Sequence, residues 1–77
     1  MNFALSMNIR GLGADHKFLA LKDLFRTVNP KIILIQETMH DSSIAISYFR
    51  KMFPLWHISA IDAVGLLGGL AVLWDPV

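Results

Sequence analysis

Glu37 is the only glutamate in the chain, and it closes a run in which apolar chemistry gives way abruptly to polar chemistry: Lys31-Ile32-Ile33-Leu34-Ile35-Gln36-Glu37-Thr38. Four consecutive apolar residues, three of them β-branched, read as a short strand covered on both faces rather than as a helix. Gln36, Glu37 and Thr38 then emerge at its carboxyl end, where layered α/β folds bind ligands and metals. A second polar residue, Asn8, closes the earlier apolar stretch Phe3-Ala4-Leu5-Ser6-Met7. If these two strands are parallel neighbours, Asn8 and Glu37 lie side by side. One amide oxygen and one carboxylate suit a hard cation such as Mg²⁺, with water and a substrate phosphate filling the rest of its shell. The plainer alternative is two unrelated polar strand ends in solvent.

Other residues invite chemistry less convincingly. Gly11-Leu12-Gly13, between a strand and a helix, opens a dinucleotide fingerprint, but its third glycine would fall at His16, where a side chain blocks the close approach that the motif needs. His16, His40 and His57 are spread over a helix start, a loop and a strand, without zinc-ligand spacing. Tyr48 falls on an apolar helix stripe and reads as core. Gly65 and Gly69 have the small-residue spacing of packed membrane helices, yet Asp62 interrupts the segment before it reaches the ~20 apolar residues of a span. A turn between strands fits these glycines better, so a membrane-associated protein is the weaker alternative.

The elements that must position Asn8 and Glu37 follow in order. Strand one leads into a loop at Arg10 to Gly13. Asp15 is placed to cap a helix from about His16 to Val28, whose apolar stripe is Phe18, Leu21, Leu24, Phe25 and Val28. Asn29-Pro30 stops it. This helix is the crossover that a parallel strand pair requires. A second helix, about Ser43 to Phe53 with Asp41 or Ser42 as cap, has the stripe Ile44, Tyr48, Phe49 and Met52; Arg50 and Lys51 favour its carboxyl-terminal dipole. Pro54 ends it. Trp56 to Ile61 and Leu70 to Trp74 then read as an antiparallel hairpin with a glycine-rich tip.

Composition bounds the possibilities. The chain has 77 residues and no cysteine, which excludes disulfides and thiolate metal sites. A chain this short hides only roughly 60% of its unfolded surface, yet 55% of its residues are hydrophobic and 17% charged. The apolar excess implies faces meant to pack against further chain. The net charge of +1 excludes a general electrostatic footprint for nucleic acid, so any phosphate chemistry would be local. Met1-Asn2-Phe3 lacks the basic start of a secretory signal, which makes a cytosolic or nuclear setting the default expectation.

In combination, these blocks resemble one family. Ser6-Met7-Asn8-Ile9-Arg10-Gly11-Leu12-Gly13, Ala20-Leu21-Lys22-Asp23-Leu24, Pro30 to Thr38, Ala63-Val64-Gly65 and Gly68-Gly69-Leu70-Ala71-Val72-Leu73-Trp74 are similar, in order and spacing, to the opening of the endonuclease/exonuclease/phosphatase superfamily. Within it they resemble the apurinic/apyrimidinic-type endonuclease domain of plant LINE-type retrotransposons. The resemblance implies the amino-terminal part of a four-layer α/β sandwich, in the order β-α-β-α-β-β. It also implies Mg²⁺- or Mn²⁺-dependent cleavage of DNA phosphodiester bonds, with Glu37 matching the metal-holding glutamate and Asn8 the active-site asparagine. Two departures stand out: Met7 and Ile9 flank the asparagine where the family usually has tryptophan and cysteine, and Leu66 and Leu67 replace polar residues before the double glycine.

A domain of this family continues well past residue 77, into a catalytic tyrosine, an Asp-x-Asn motif and a terminal histidine with its aspartate partner. The expectation is therefore a truncated domain over residues 1–77, with half of a metal site, that is catalytically silent by itself. Two other readings stand beside it. One is a non-enzymatic module that joins a complementing polypeptide, or itself, through strand edges; the other is the membrane-associated protein.

Overall fold

The computed structural model describes residues 3–13, 15–64 and 68–77. The β-branched and apolar runs form strands as their composition favours: β1 is Ala4–Asn8, β2 Ile32–Gln36, β3 His57–Ile61 and β4 Leu70–Trp74. Two helices separate them, α1 over Asp15–Val28 and α2 over Ser42–Arg50. The chain is thus a mixed α/β fold in the order β-α-β-α-β-β.

The four strands make one sheet in the order β1-β2-β4-β3. Strands β1 and β2 run parallel, with Asn8 opposite Gln36; β4 is antiparallel to both β2 and β3. The expected hairpin is present, but β4 also inserts itself between β2 and β3, so the last of these four strands is central in the sheet.

Both helices lie on one face of the sheet. Leu21 and Phe25 of α1 and Phe49 of α2 are buried there, in one cluster with Ile33, Ile35, Ala71 and Leu73, and Ala45 of α2 is buried as well. Phe18 meets Tyr48 edge-on at 5.3 Å between ring centroids, which ties α1 to α2, and Phe25 meets Phe53 at 5.7 Å, just past the end of α2 at Arg50, three residues short of the expected Phe53. Ile33, Ile35, Leu73 and Phe49 are fully inaccessible; each contributes about 1.5–3 kcal/mol by leaving water.

The opposite face is open, which corrects the expectation that β2 is covered on both sides. The pleat sends Ile32, Leu34 and Gln36 outward, and Ile32 is 46% exposed. An uninterrupted apolar run reports two apolar faces. It does not report that the same chain covers both.

Local signals held closely. Asn29 adopts a left-handed conformation with φ 54°, donates its N–H to Phe25 O at 2.8 Å, and so ends α1 just before the buried Pro30. Asp41 caps α2, accepting from the N–H of Ile44 at 3.0 Å and from Ser43 Oγ at 2.8 Å. Asp15, expected to cap α1, is instead the first residue of that helix, where its charge still complements the amino-terminal dipole. In α2 the buried stripe is turned from the expected one: Ala45 replaces Ile44, which is 47% exposed. The small alanine allows the helix to approach the sheet where an isoleucine would hold it off.

Candidate functional site

Parallel pairing of β1 and β2 brings their carboxyl ends together, and Asn8 Nδ2 donates a hydrogen bond to Glu37 Oε2. Asn8 Oδ1 accepts from the N–H of Arg10 at 3.1 Å. The amide is thereby fixed at both ends, its nitrogen toward the carboxylate and its oxygen toward the backbone. Asn8 in this arrangement orients Glu37, and coordination of a cation through Oδ1 would require release of the Arg10 N–H.

The backbone at the site is clamped from both sides. Glu37 N donates to Gly69 O at 3.0 Å and Met39 N to Gly68 O at 2.6 Å. From the other side Gly11 N reaches Glu37 O at 2.7 Å and Leu12 N reaches Thr38 O at 3.3 Å. This clamp holds Glu37 and Met39 at φ 58° and 63°, a left-handed region that side chains other than glycine seldom occupy. The turn aims the Glu37 carboxylate back over the end of β1 instead of letting the strand run on into solvent.

Gly68 and Gly69 complete the fit. A β-carbon on Gly68 would lie 2.9 Å from Glu37 Cγ and 3.1 Å from its Cα, and one on Gly69 2.5 Å from Thr38 Oγ1. Gly69 also has φ +84°. The double glycine is required because the Gln36-Glu37-Thr38 turn presses directly on it. Thr38 is fully buried, and its hydroxyl finds no hydrogen-bond partner among the described residues.

These groups border an open cleft of about 370 Å³ lined by Asn8, Gln36, Glu37, Asp62, Gly68 and Leu70, among others. Asp62 is the contributor that sequence reasoning missed as a site residue. Its Oδ1 accepts from Ser42 N at 2.6 Å, which ties the end of β3 to the start of α2. The available signal was its place just past a strand end, in the segment that returns to the double glycine.

The glycine loop after β1 is not a phosphate cradle. Its Gly11 and Leu12 amides are spent on β2's exit, and Lys17 Nζ binds Ile9 O at 3.0 Å and Gly11 O at 2.9 Å. His16, His40 and His57 stand apart from the cleft lining, and among the described residues no three histidine, aspartate or glutamate side chains gather as a metal-binding group. The chemistry on offer is one oriented carboxylate, Glu37, with amide and carboxylate neighbours. That donor set fits a hard cation held mostly by water.

Gly65, which carried part of the family resemblance and starts the membrane-type glycine spacing, and Leu66 and Leu67, which depart from the family pattern, lie outside the described residues. Among the described residues no helix is long and apolar enough to cross a membrane. Comparison with models of known families and with curated proteins finds no match.

Proposed function

We propose that the chain is the amino-terminal part of a Mg²⁺-dependent phosphodiesterase-like domain, of the DNA endonuclease kind found in LINE-type retrotransposons, and that it is catalytically silent by itself. The observation that carries this reading is the oriented Asn8 to Glu37 pair at adjacent parallel strand ends, with the glycine pair Gly68-Gly69 packed directly against the turn that holds it. Glu37 would hold the cation, and a bound divalent ion would supply charge stabilisation for a phosphate and its leaving oxygen. Asn8 would keep the carboxylate in place. Among the described residues no histidine lines the cleft to serve as a general base, and Asp62 Oδ1 accepts from Ser42 N. In the reading proposed, the layers beyond this sheet and its helices belong to further chain of the parent domain, as does any contact with DNA.

The test is titration of the isotope-labelled chain with Mn²⁺, read by paramagnetic broadening. The expected result is selective loss of the Asn8, Glu37 and Gly68 amide signals at millimolar metal, abolished in Glu37→Gln, with no nicking of supercoiled plasmid in Mg²⁺ or Mn²⁺. Uniform broadening, or broadening that survives Glu37→Gln, would sink the metal-site reading. Plasmid nicking that disappears with Glu37→Ala would sink the claim of silence.

A further inference from the structure

The Gly11-Leu12-Gly13 loop cradles no phosphate, yet its shape is specific, and the residue it is shaped around is Lys17. A β-carbon on Gly13 would lie 2.9 Å from both Cδ and Cε of Lys17, so the loop has a glycine where the lysine stem crosses it. Gly13 is not among the glycines with positive φ; space, and not backbone conformation, is what the missing side chain provides. Beyond the crossing, the half-buried ammonium donates to Ile9 O at 3.0 Å and to Gly11 O at 2.9 Å. Among the described residues no carboxylate lies within ion-pair distance of it, so its charge is directed at those two carbonyls.

Each carbonyl belongs to a peptide unit whose N–H is also engaged. The unit joining Ile9 to Arg10 donates through Arg10 N to Asn8 Oδ1 at 3.1 Å, and Asn8 Nδ2 in turn donates to Glu37 Oε2. The unit joining Gly11 to Leu12 donates through Leu12 N to Thr38 O at 3.3 Å. Two lines of hydrogen bonds therefore start at one ammonium, one ending on the Glu37 carboxylate and the other on the residue that follows it. Along both, every amide accepts at its oxygen and donates at its nitrogen, the arrangement in which each bond strengthens the next by about 10–30%.

We infer that Lys17 is a positioning residue of the Glu37 site: from α1 it sets, through the Ile9 to Arg10 peptide and the Asn8 amide, the direction and strength of the hydrogen bond on Glu37 Oε2. Polarisation, and no proton, passes along the line. The ammonium draws the Arg10 N–H onto Asn8 Oδ1, which leaves Nδ2 as the end of the amide that faces the carboxylate. The inference concerns Glu37 whatever it binds; only the effect on a cation rests on the reading proposed above.

Proton shifts of the isotope-labelled, metal-free chain test it. In Lys17→Met the Arg10 and Leu12 N–H signals and the Asn8 Nδ2 protons should move upfield as their hydrogen bonds weaken. The Glu37 and Met39 N–H groups, which bond Gly69 O and Gly68 O, should stay in place. Lys17→Arg keeps the charge and a fork of donors and should restore the three signals. Gly13→Ala crowds the lysine stem without removing its charge and should move the same three in the same direction, so the outcome does not depend on the folding of Lys17→Met. Lys22→Met, an equal loss of charge at an exposed position of α1, should move none of them. Mn²⁺ binding should weaken about tenfold in Lys17→Met. Shifts shared equally by Glu37 and Met39, unmoved signals in Lys17→Met or Gly13→Ala, no restoration by arginine, an effect of Lys22→Met, or Mn²⁺ binding that is present and unchanged in Lys17→Met would each overturn the inference. A parent chain that binds no Mn²⁺ would sink the cation reading alone, and the metal-free shifts would still decide this one.

Discussion

A β-carbon on Gly69 would sit 2.5 Å from Thr38 Oγ1, so the end of β2 and the start of β4 are fitted to one another with no room for a methyl group. Gly69→Ala must accept a positive φ as well as this overlap, and the expected loss is about 2–4 kcal/mol. In urea denaturation the companion change Thr38→Ala should couple favourably with it, making the double variant less damaged than the sum of the singles. Strict additivity would mean that the contact does not limit the site.

The hydroxyls of Thr38 and Tyr48 are both buried without a partner among the described residues, and burial pushes the Tyr48 phenol up from its ordinary value. An unpaired buried hydroxyl costs about 1–3 kcal/mol in desolvation. Tyr48→Phe should therefore leave stability unchanged or raise it by up to about 1 kcal/mol, and Thr38→Val should behave in the same way. A clear fall in the urea midpoint for either would show that its oxygen is satisfied, for example by an ordered water.

Acid sensitivity should trace to two aspartates. The Ile44 N–H, then the Ser43 hydroxyl, hold Asp41 below the ordinary 3.8; the Val77 N–H, then Lys31, do the same for Asp75. Carboxyls depressed in the folded state bind fewer protons there than in the unfolded chain. Their contribution is present above about pH 4 and lost as pH falls through the folded values. Asp41→Asn keeps a capping oxygen but cannot titrate, so between pH 4 and pH 2 its urea midpoint should fall less steeply than that of the parent chain. Parallel profiles would refute this assignment.

The rotation of α2 offers a direct check of packing. Phe49→Ala removes a fully buried ring and should cost about 3–5 kcal/mol, enough to unfold a chain of this size. Ile44→Ala should cost under about 0.5 kcal/mol, as for most surface changes, whereas Ala45→Leu should cost about 1–3 kcal/mol by overpacking. Circular dichroism melts of the three would reveal a wrong helix phase if Ile44→Ala proved the more damaging.

How far the sequence could be read differs from element to element. The strands announced themselves through Ile32 to Ile35 and Leu70 to Trp74, and the Asn29-Pro30 stop was plain, because local sterics decide such features. The nearness of Asn8 to Glu37 was also legible, since a helical crossover between two strands makes them parallel neighbours. The phase of α2 was not: Ile44 is the more hydrophobic choice, but close helix–sheet approach selects Ala45 by size. Nor was the place of β4, which depends on pairing between distant segments. Asp62 was set aside as lying on the wrong strand, because its position in the cleft depends on the return of the chain through Gly68.

The order β1-β2-β4-β3 carries a consequence for synthesis. β2 and β3 share no hydrogen-bonded ladder and are joined through β4 alone, so a nascent chain halted at Gly69 has two separate strand groups and no continuous sheet. β4 must leave the ribosome before the centre of this sheet can be laid down. Until then, the inner borders of β2 and β3 stand open to whatever extended polypeptide reaches them first.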